Sequence, residues 1–219
     1  MPRPGRTLAV AVYRPLAEQL AGLAAPGQGE SVLELSAGDG ELTARLQAAV
    51  GGGGSVEVIE RPGTTVPRQG AFDLVVSLLA VETQAELDVM QPHLEVVAGR
   101  AFIGIGAGGL TYDNALQAAW RRLTGADLGA LASSAPVAAP RGWRQRRLSD
   151  VARFDGIDQL LIALLDERGI DVAPRRAALR ERLAREVAPF TAADGTMRIP
   201  VHVTLVEHGA ADSVNEGRP

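Results

Sequence analysis

Residues 32–42 of the chain read Val32-Leu33-Glu34-Leu35-Ser36-Ala37-Gly38-Asp39-Gly40-Glu41-Leu42, and no other segment gives so clear a structural signal. Its first four residues form an apolar β run, and small residues follow it. Helical spacing then places Leu42, Leu46 and Ala49 on one side. The pattern predicts a strand, a tight loop and the start of a helix. The N–H groups at a helix N-terminus are unpaired and partly positive, so this loop suits an anionic or electron-rich ligand group.

The segment from Glu34 to Gly40 resembles the first motif of class I S-adenosylmethionine-dependent methyltransferases, an acid followed by a glycine-rich turn. The match lies at Glu34, Gly38 and Gly40, whereas Ser36 stands where that family usually has glycine. Glycines at 38 and 40 let a ligand approach the backbone. Turns of this kind also occur in nicotinamide-binding folds and in plain βα units, so the motif alone leaves those alternatives open.

A second predicted strand, residues 55–59, ends in Glu60. An acid about 20 residues beyond a nucleotide-binding turn is placed to accept hydrogen bonds from ribose hydroxyls. The alternative is that Glu60 is a solvated carboxylate at the end of a strand. The resemblance implies a site for S-adenosylmethionine made of Glu34, Ser36, Ala37, Gly38, Gly40, Glu60, Ser77 and Leu78. In it the loop after Leu35 meets the methionine end, Glu60 meets the ribose, and Ser77 and Leu78 line the floor.

The connection after the second strand is unusually short. Residues 72–77 resemble the fourth strand of the family, and only the eleven residues 61–71, two of them proline, precede it. A helix of about 11 residues plus a strand of about 5 does not fit there, so the third strand and its helix are predicted to be missing. Eleven extended residues reach about 36 Å, enough to cross two strand spacings. The second strand then becomes a sheet edge, which points to a dimer or a partner chain.

The remaining patterns complete a Rossmann-like α/β fold of the class I methyltransferase type. It has a mostly parallel sheet, an antiparallel last strand and a helical lid insertion at about 155–189. Residues 1–208 are predicted to form one domain, and residues 209–219 a disordered tail. The other predicted helices are 15–24, 83–97, 112–123, 158–168 and 175–187. The other predicted strands are 101–105, 144–154 and a terminal strand that alternates through Val201, Val203 and Leu205. Residues 104–109 fit G-x-G-x-x-G formally, but their context favours a loop over the sheet edge.

Composition excludes several kinds of chemistry. The net charge of −4 argues against a general binder of nucleic acid or anionic membranes. Every base is arginine, which excludes a lysine Schiff base, and the lack of cysteine excludes disulfides, thiol nucleophiles and thiolate zinc sites. No run of 18 uncharged apolar residues and no leader pattern occurs, so we expect a soluble cytoplasmic protein without metal ligands.

The leading hypothesis is methyl transfer to a small-molecule acceptor. None of the three histidines, His93, His202 and His208, is placed as a general base by its pattern, and each is interpreted as structural or solvated. Tyr13 either approaches the cofactor or anchors the first helix to the sheet. The alternative function is a degenerate methyltransferase-like protein without methylation activity. Such a protein acts as an interaction subunit of a full-length methyltransferase, or as a cyclase or pericyclase.

Overall fold

The elements of the chain follow one another as the sequence patterns predict. The computed structural model describes residues 11, 13–36, 40–60, 71–81, 84–105, 111–112, 138–168 and 176–209. Within these ranges the elements are α1 (Arg14–Ala24), β1 (Ser31–Ser36), α2 (Glu41–Val50), β2 (Ser55–Glu60), β3 (Phe72–Leu78), α3 (Gln84–Val97), β4 (Ala98–Ile105), β5 (Thr111–Tyr112), β6 (Arg144–Phe154), α4 (Ile157–Arg168), α5 (Arg176–Glu186) and β7 (Met197–His208).

One sheet of seven strands joins all the described β-structure, in the order β2-β1-β3-β4-β7-β5, with β6 also paired to β7. The first four strands are parallel, and β7 runs antiparallel to β4, β5 and β6. This is the predicted Rossmann-like arrangement of a class I methyltransferase fold, so the fold prediction is confirmed. Two strand spacings separate β2 from β3, a distance that the eleven-residue connection is long enough to cross. Within the described part of the chain, β2 pairs with β1 alone.

Helices cover both faces of the parallel strands. On one face α1 and α2 bury Leu16, Leu20 and Leu46 against alternate strand residues such as Leu74 and Phe102. On the other face α3 buries Leu87 and Leu94 against the strand residues that alternate with those of the first face, among them Leu33, Val75 and Ile103. Parallel strands that are covered on both faces consist of nearly continuous apolar runs, which explains why β1 and β3 were recognisable.

The helical insertion lies between β6 and β7, where it was predicted. Helices α4 and α5 pack on the same face of the sheet as α1, with Leu160, Leu161, Leu179 and Leu183 buried beside Phe154. Asp158 and Arg180 join the two helices by an ion pair of 2.8 Å. The described leucines of α4, Leu160 and Leu161, are therefore part of the core.

One boundary was wrong, and several predictions stay untested. Tyr112, predicted to open a helix, lies in β5 because its backbone pairs with Val201 of β7. The rest of that helix, the glycine-rich loop after Ile105, the connection 61–70 and the tail after Gly209 lie outside the described residues. The predicted domain limits 1–208 also stay a prediction.

Candidate functional site

The carboxyl ends of three parallel strands bring the predicted ligand residues to one level of the sheet. The backbone register pairs Ser36 at the end of β1 with Glu60 of β2 on one side and with Leu78 of β3 on the other. Neighbouring strands lie about 4.8 Å apart, so these three positions span about 10 Å of the edge. Ligands of open α/β sheets bind outside this edge. The side chains of Ser36 and Glu60, and residues 37–39 including Ala37 and Gly38, lie outside the description.

Two polar side chains of the predicted site lie buried just below that edge. Glu34 of β1 is 2% exposed, and Ser77 of β3, which pairs with Leu35 and Ile103, is fully buried. The Ser77 hydroxyl has no hydrogen-bond partner among the described residues. An unsatisfied buried hydroxyl costs about 1–3 kcal/mol, and such groups in native proteins usually have a functional or solvent partner.

The start of α2 has the backbone conformation that its sequence requires. Gly40 is the N-cap, with φ +90°, and its carbonyl accepts a hydrogen bond of 3.0 Å from the Ala44 N–H. Only glycine adopts this conformation without strain, so Gly40 is fixed by geometry.

An ion pair joins the two helices on this face beside the candidate site. Arg14 of α1 donates hydrogen bonds of 3.0 and 2.6 Å from Nε and Nη2 to Oε1 of Glu41, the first residue of α2. These bonds, and then the charges of Arg14 and Arg45, hold the pKa of Glu41 below its ordinary value. The ionised carboxylate also interacts favourably with the positive end of the helix dipole. The preceding residue, Tyr13, packs half-buried against the core on this face, as expected of an anchor.

Leu79, directly after β3, is a feature that sequence reasoning missed. Its φ is +63°, a left-handed conformation that leucine rarely adopts, and its N–H donates a 2.8 Å hydrogen bond to the carbonyl of Gly104 in β4. Its side chain is buried. Strain of this kind costs of order 1–3 kcal/mol and is concentrated at functional sites. Leucine as a residue type gives no indication of a positive φ, so the sequence could not have predicted this conformation.

The three histidines lie in different parts of the fold. His208 pairs with Ala101 near the start of β4, far from the candidate edge, and stacks on Trp143 with 5.2 Å between ring centroids. His202 lies past the end of β4, and its Nδ1 is 3.1 Å from the Ser149 hydroxyl. His93 falls on α3, as predicted, with its side chain outside the description.

The described residues contain neither a cluster of metal-ligand side chains nor a membrane-spanning helix. No group of three or more histidine, aspartate or glutamate side chains is arranged to hold a metal ion. No described helix is long and apolar enough to cross a membrane.

Comparison with known proteins finds similarity in structure only. No protein-family model matches the chain, and no curated protein matches its sequence. A candidate type II methyltransferase from Anaeromyxobacter dehalogenans is 15% identical over 95% of this chain and 97% of its own, with a TM-score of 0.46. A candidate methyltransferase from Bacillus halodurans is 11% identical over 88% and 96%, with a TM-score of 0.46.

A third similar structure is a cyclopropane-fatty-acyl-phospholipid synthase-like protein from Lactobacillus casei, 14% identical over 92% of this chain and 94% of its own, with a TM-score of 0.43. At TM-scores below 0.5 these likenesses do not by themselves assign an activity. The class is defined by the strand order: an α/β protein with a Rossmann-like sheet, whose carboxyl edge carries the candidate site.

Proposed function

We propose that this protein transfers a methyl group from S-adenosylmethionine to a small-molecule acceptor. The observation that supports it best is the alignment of Ser36, Glu60 and Leu78 at one level of the sheet edge, beside the glycine N-cap of α2. A strand-loop-helix turn with an acid at the end of the neighbouring strand suits an adenosyl ligand, because such a loop can offer amides to one end of the ligand and such an acid can accept hydrogen bonds from the ribose.

The described residues of the edge fit such a ligand. Gly40 keeps the mouth of the α2 N-terminus free of a side chain, and the unpartnered Ser77 hydroxyl lies under the end of β3. Glu60 would accept hydrogen bonds from the ribose hydroxyls, and the amides of residues 36–40 would hold the methionine end. When bound, S-adenosylmethionine supplies a methyl group already activated on a sulfonium sulfur. The chain's own task is then to orient the acceptor and exclude water.

The general base stays unassigned. An acceptor that is already nucleophilic needs none, whereas a hydroxyl or an acidic carbon does. Helices α4 and α5 follow β6 at the end of the sheet where the ligand edge lies, and we propose that they limit the size of the acceptor to a small molecule.

We also propose that β2 pairs with another chain, in a homodimer or in a complex with a full-length methyltransferase. Within the described residues β2 has a partner on one side only, and its Val58 is 39% exposed. Exposed apolar edge strands tend to pair. Light scattering after size-exclusion chromatography tests this: a dimer that Val58→Lys converts to monomer supports it, and a wild-type monomer that binds no such subunit rejects it.

Titration calorimetry with S-adenosylmethionine and S-adenosylhomocysteine tests the cofactor. We expect micromolar binding that Gly38→Val abolishes and Glu60→Ala weakens about tenfold, the loss of one good ribose hydrogen-bond acceptor. Gly52→Val and Glu57→Ala are matched controls on exposed residues and should bind as the wild type does. No heat at millimolar ligand would reject the enzyme and leave the interaction subunit, cyclase or pericyclase.

A further inference from the structure

Strands β6 and β7 continue past the end of the parallel sheet as a two-stranded ribbon. The last residue of β4, Ile105, pairs with Thr204, and the two residues of β5 pair with Val201 and His202. In contrast, β7 begins at Met197 and stays paired with β6 from there to Glu207. One face of this ribbon is buried under the helices, with Ala152, Phe154 and Val201 in the core. The opposite face is exposed or half-exposed. Its side chains, here called the ribbon face, are Arg147, Ser149, Val151 and Arg153 on β6 and Arg198, Pro200 and His202 on β7.

Two arginines lie directly opposite each other on the ribbon face. Arg153 pairs with Arg198 in the antiparallel register, which places their Cβ atoms about 5 Å apart. Like charges at such positions destabilise a sheet. Arg153 has no ion pair with any described residue. Asp194, close to Arg198, uses Oδ1 to accept hydrogen bonds of 2.9 and 2.7 Å from the N–H and hydroxyl of Thr196. The repulsion is therefore only partly relieved within the described structure.

Protection of the sheet edge explains the presence of charges on these strands but not their placement. Charged residues on an edge strand discourage pairing with other molecules, and β6 is such a strand among those described. The pairing of β7 with β4 and β5 begins only at Val201, so Arg198 also has a described neighbour strand on one side alone. Edge protection does not require the two arginines to lie directly opposite each other, where like charges repel. The pair makes sense as a clamp, since two guanidinium groups bind carboxylates with paired, charge-assisted hydrogen bonds.

The dimensions and chemistry of the ribbon face select one kind of occupant. Arg147 and Arg153 are six residues apart on one strand, about 20 Å, too far for one small anion to contact both. Between them lie Ser149 and Val151, the latter 41% exposed with Pro200 opposite it. The local arginines would attract an acidic peptide or nucleic acid alike, but the apolar surface of Val151 and Pro200 favours a peptide that places an aliphatic side chain against it. We propose that the ribbon face binds an acidic segment of a partner protein, with carboxylates on both sides of an apolar residue.

Fluorescence anisotropy with a labelled acidic peptide tests this proposal. The probe is an eight-residue peptide with a central leucine flanked by glutamates, and a peptide with glutamines in place of glutamates is its control. We expect the acidic peptide to bind the wild type and Arg153→Glu or Arg198→Glu to weaken it about tenfold or more. Arg182→Glu, the same charge change on the exposed surface of α5, should leave affinity within about twofold.

Other outcomes reject the proposal. No binding to the wild type, equal loss in all three variants, or equal binding of the glutamine peptide would each overturn it. So would an oligonucleotide or tripolyphosphate that binds as tightly and displaces the peptide, because that identifies a phosphate site. Arg153→Gln, which removes the charge but keeps a polar side chain, guards against a folding defect and should also weaken binding. Glu60→Ala should keep full peptide affinity, so that failure of the methyl-transfer proposal would leave this one standing.

Discussion

The parallel strands β1–β4 and the β6–β7 ribbon belong to one sheet but use their residues differently. Both faces of the parallel strands are covered by helices, so nearly every central side chain is core and only the carboxyl edge is available to a ligand. The ribbon has one buried face and one polar face, so its alternate side chains are available along its length. A ligand site in the parallel strands therefore depends on the strand ends and the loops that follow them. A binding site on the ribbon depends on side chains spread over its exposed face.

The largest expected effect is on β6 and β7 where they lie beside β4, because a buried carboxylate there is paired with an arginine. Glu207 of β7 is 4% exposed, and Arg146 of β6 donates hydrogen bonds of 2.8–3.2 Å to both of its carboxylate oxygens. Arg146→Ala should lower the free energy of unfolding by about 3–5 kcal/mol, since the carboxylate is left buried without its charge partner. Urea denaturation measures this. Arg147→Ala is the control, because Arg147 is next in sequence and exposed, and it should lower the free energy of unfolding by less than about 0.5 kcal/mol. Equal losses of unfolding free energy in the two variants would contradict the account.

The second-largest expected effect comes from the difference in side-chain packing between the parallel strands and the ribbon. Leu74 of β3 is fully buried between strands and helices, and Val151 of the ribbon is 41% exposed. Leu74→Ala should cost about 2–5 kcal/mol of unfolding free energy because it removes buried methyl groups and leaves a cavity. Val151→Ala should cost less than about 0.5 kcal/mol. Thermal and urea unfolding compare them, and a large loss in Val151→Ala would mean that the ribbon face is covered.

A smaller effect tests the backbone at the carboxyl edge. Gly40→Ala should cost about 1–2 kcal/mol, because its φ of +90° strains any residue with a Cβ atom. Gly52→Ala is the control: Gly52 has no positive φ and a Cβ atom there meets nothing within 4 Å. That variant should be neutral or slightly stabilised. The prediction is wrong if both glycines tolerate alanine equally.

The smallest effect depends on pH. Removal of Arg14 should cost at most about 1 kcal/mol at pH 7, since its pair with Glu41 is partly exposed. The pKa of Glu41 is lowered in the folded state, so the pair stabilises above the ordinary pKa of a glutamate and this stabilisation is lost as the pH falls through the lowered pKa. The difference between Arg14→Gln and wild type should therefore disappear at a pH below that lowered pKa. A difference that persists there would assign the loss to packing.

Local pattern was sufficient to predict most of the elements and the edge residues. The order of β2, β1 and β3 was implied by the family resemblance and is permitted by the length of the connection between β2 and β3. The common level of Ser36, Glu60 and Leu78 is what parallel strands that end together produce. Interactions across distant segments were not predictable. The bond between Arg146 and Glu207 joins residues 61 apart, and the opposition of Arg153 and Arg198 exists only in the register of β6 against β7. The strained φ of Leu79 is imposed by its bond to β4, which leucine as a residue type does not indicate.

Amide hydrogen exchange with and without S-adenosylhomocysteine tests the central claim most directly, because it reports where a ligand lies. The account predicts slower exchange in residues 36–44 and at the end of β3 when the ligand is present, with the amides of the β6–β7 ribbon face unchanged. Unchanged exchange at the carboxyl edge, or protection confined to the ribbon, would contradict it.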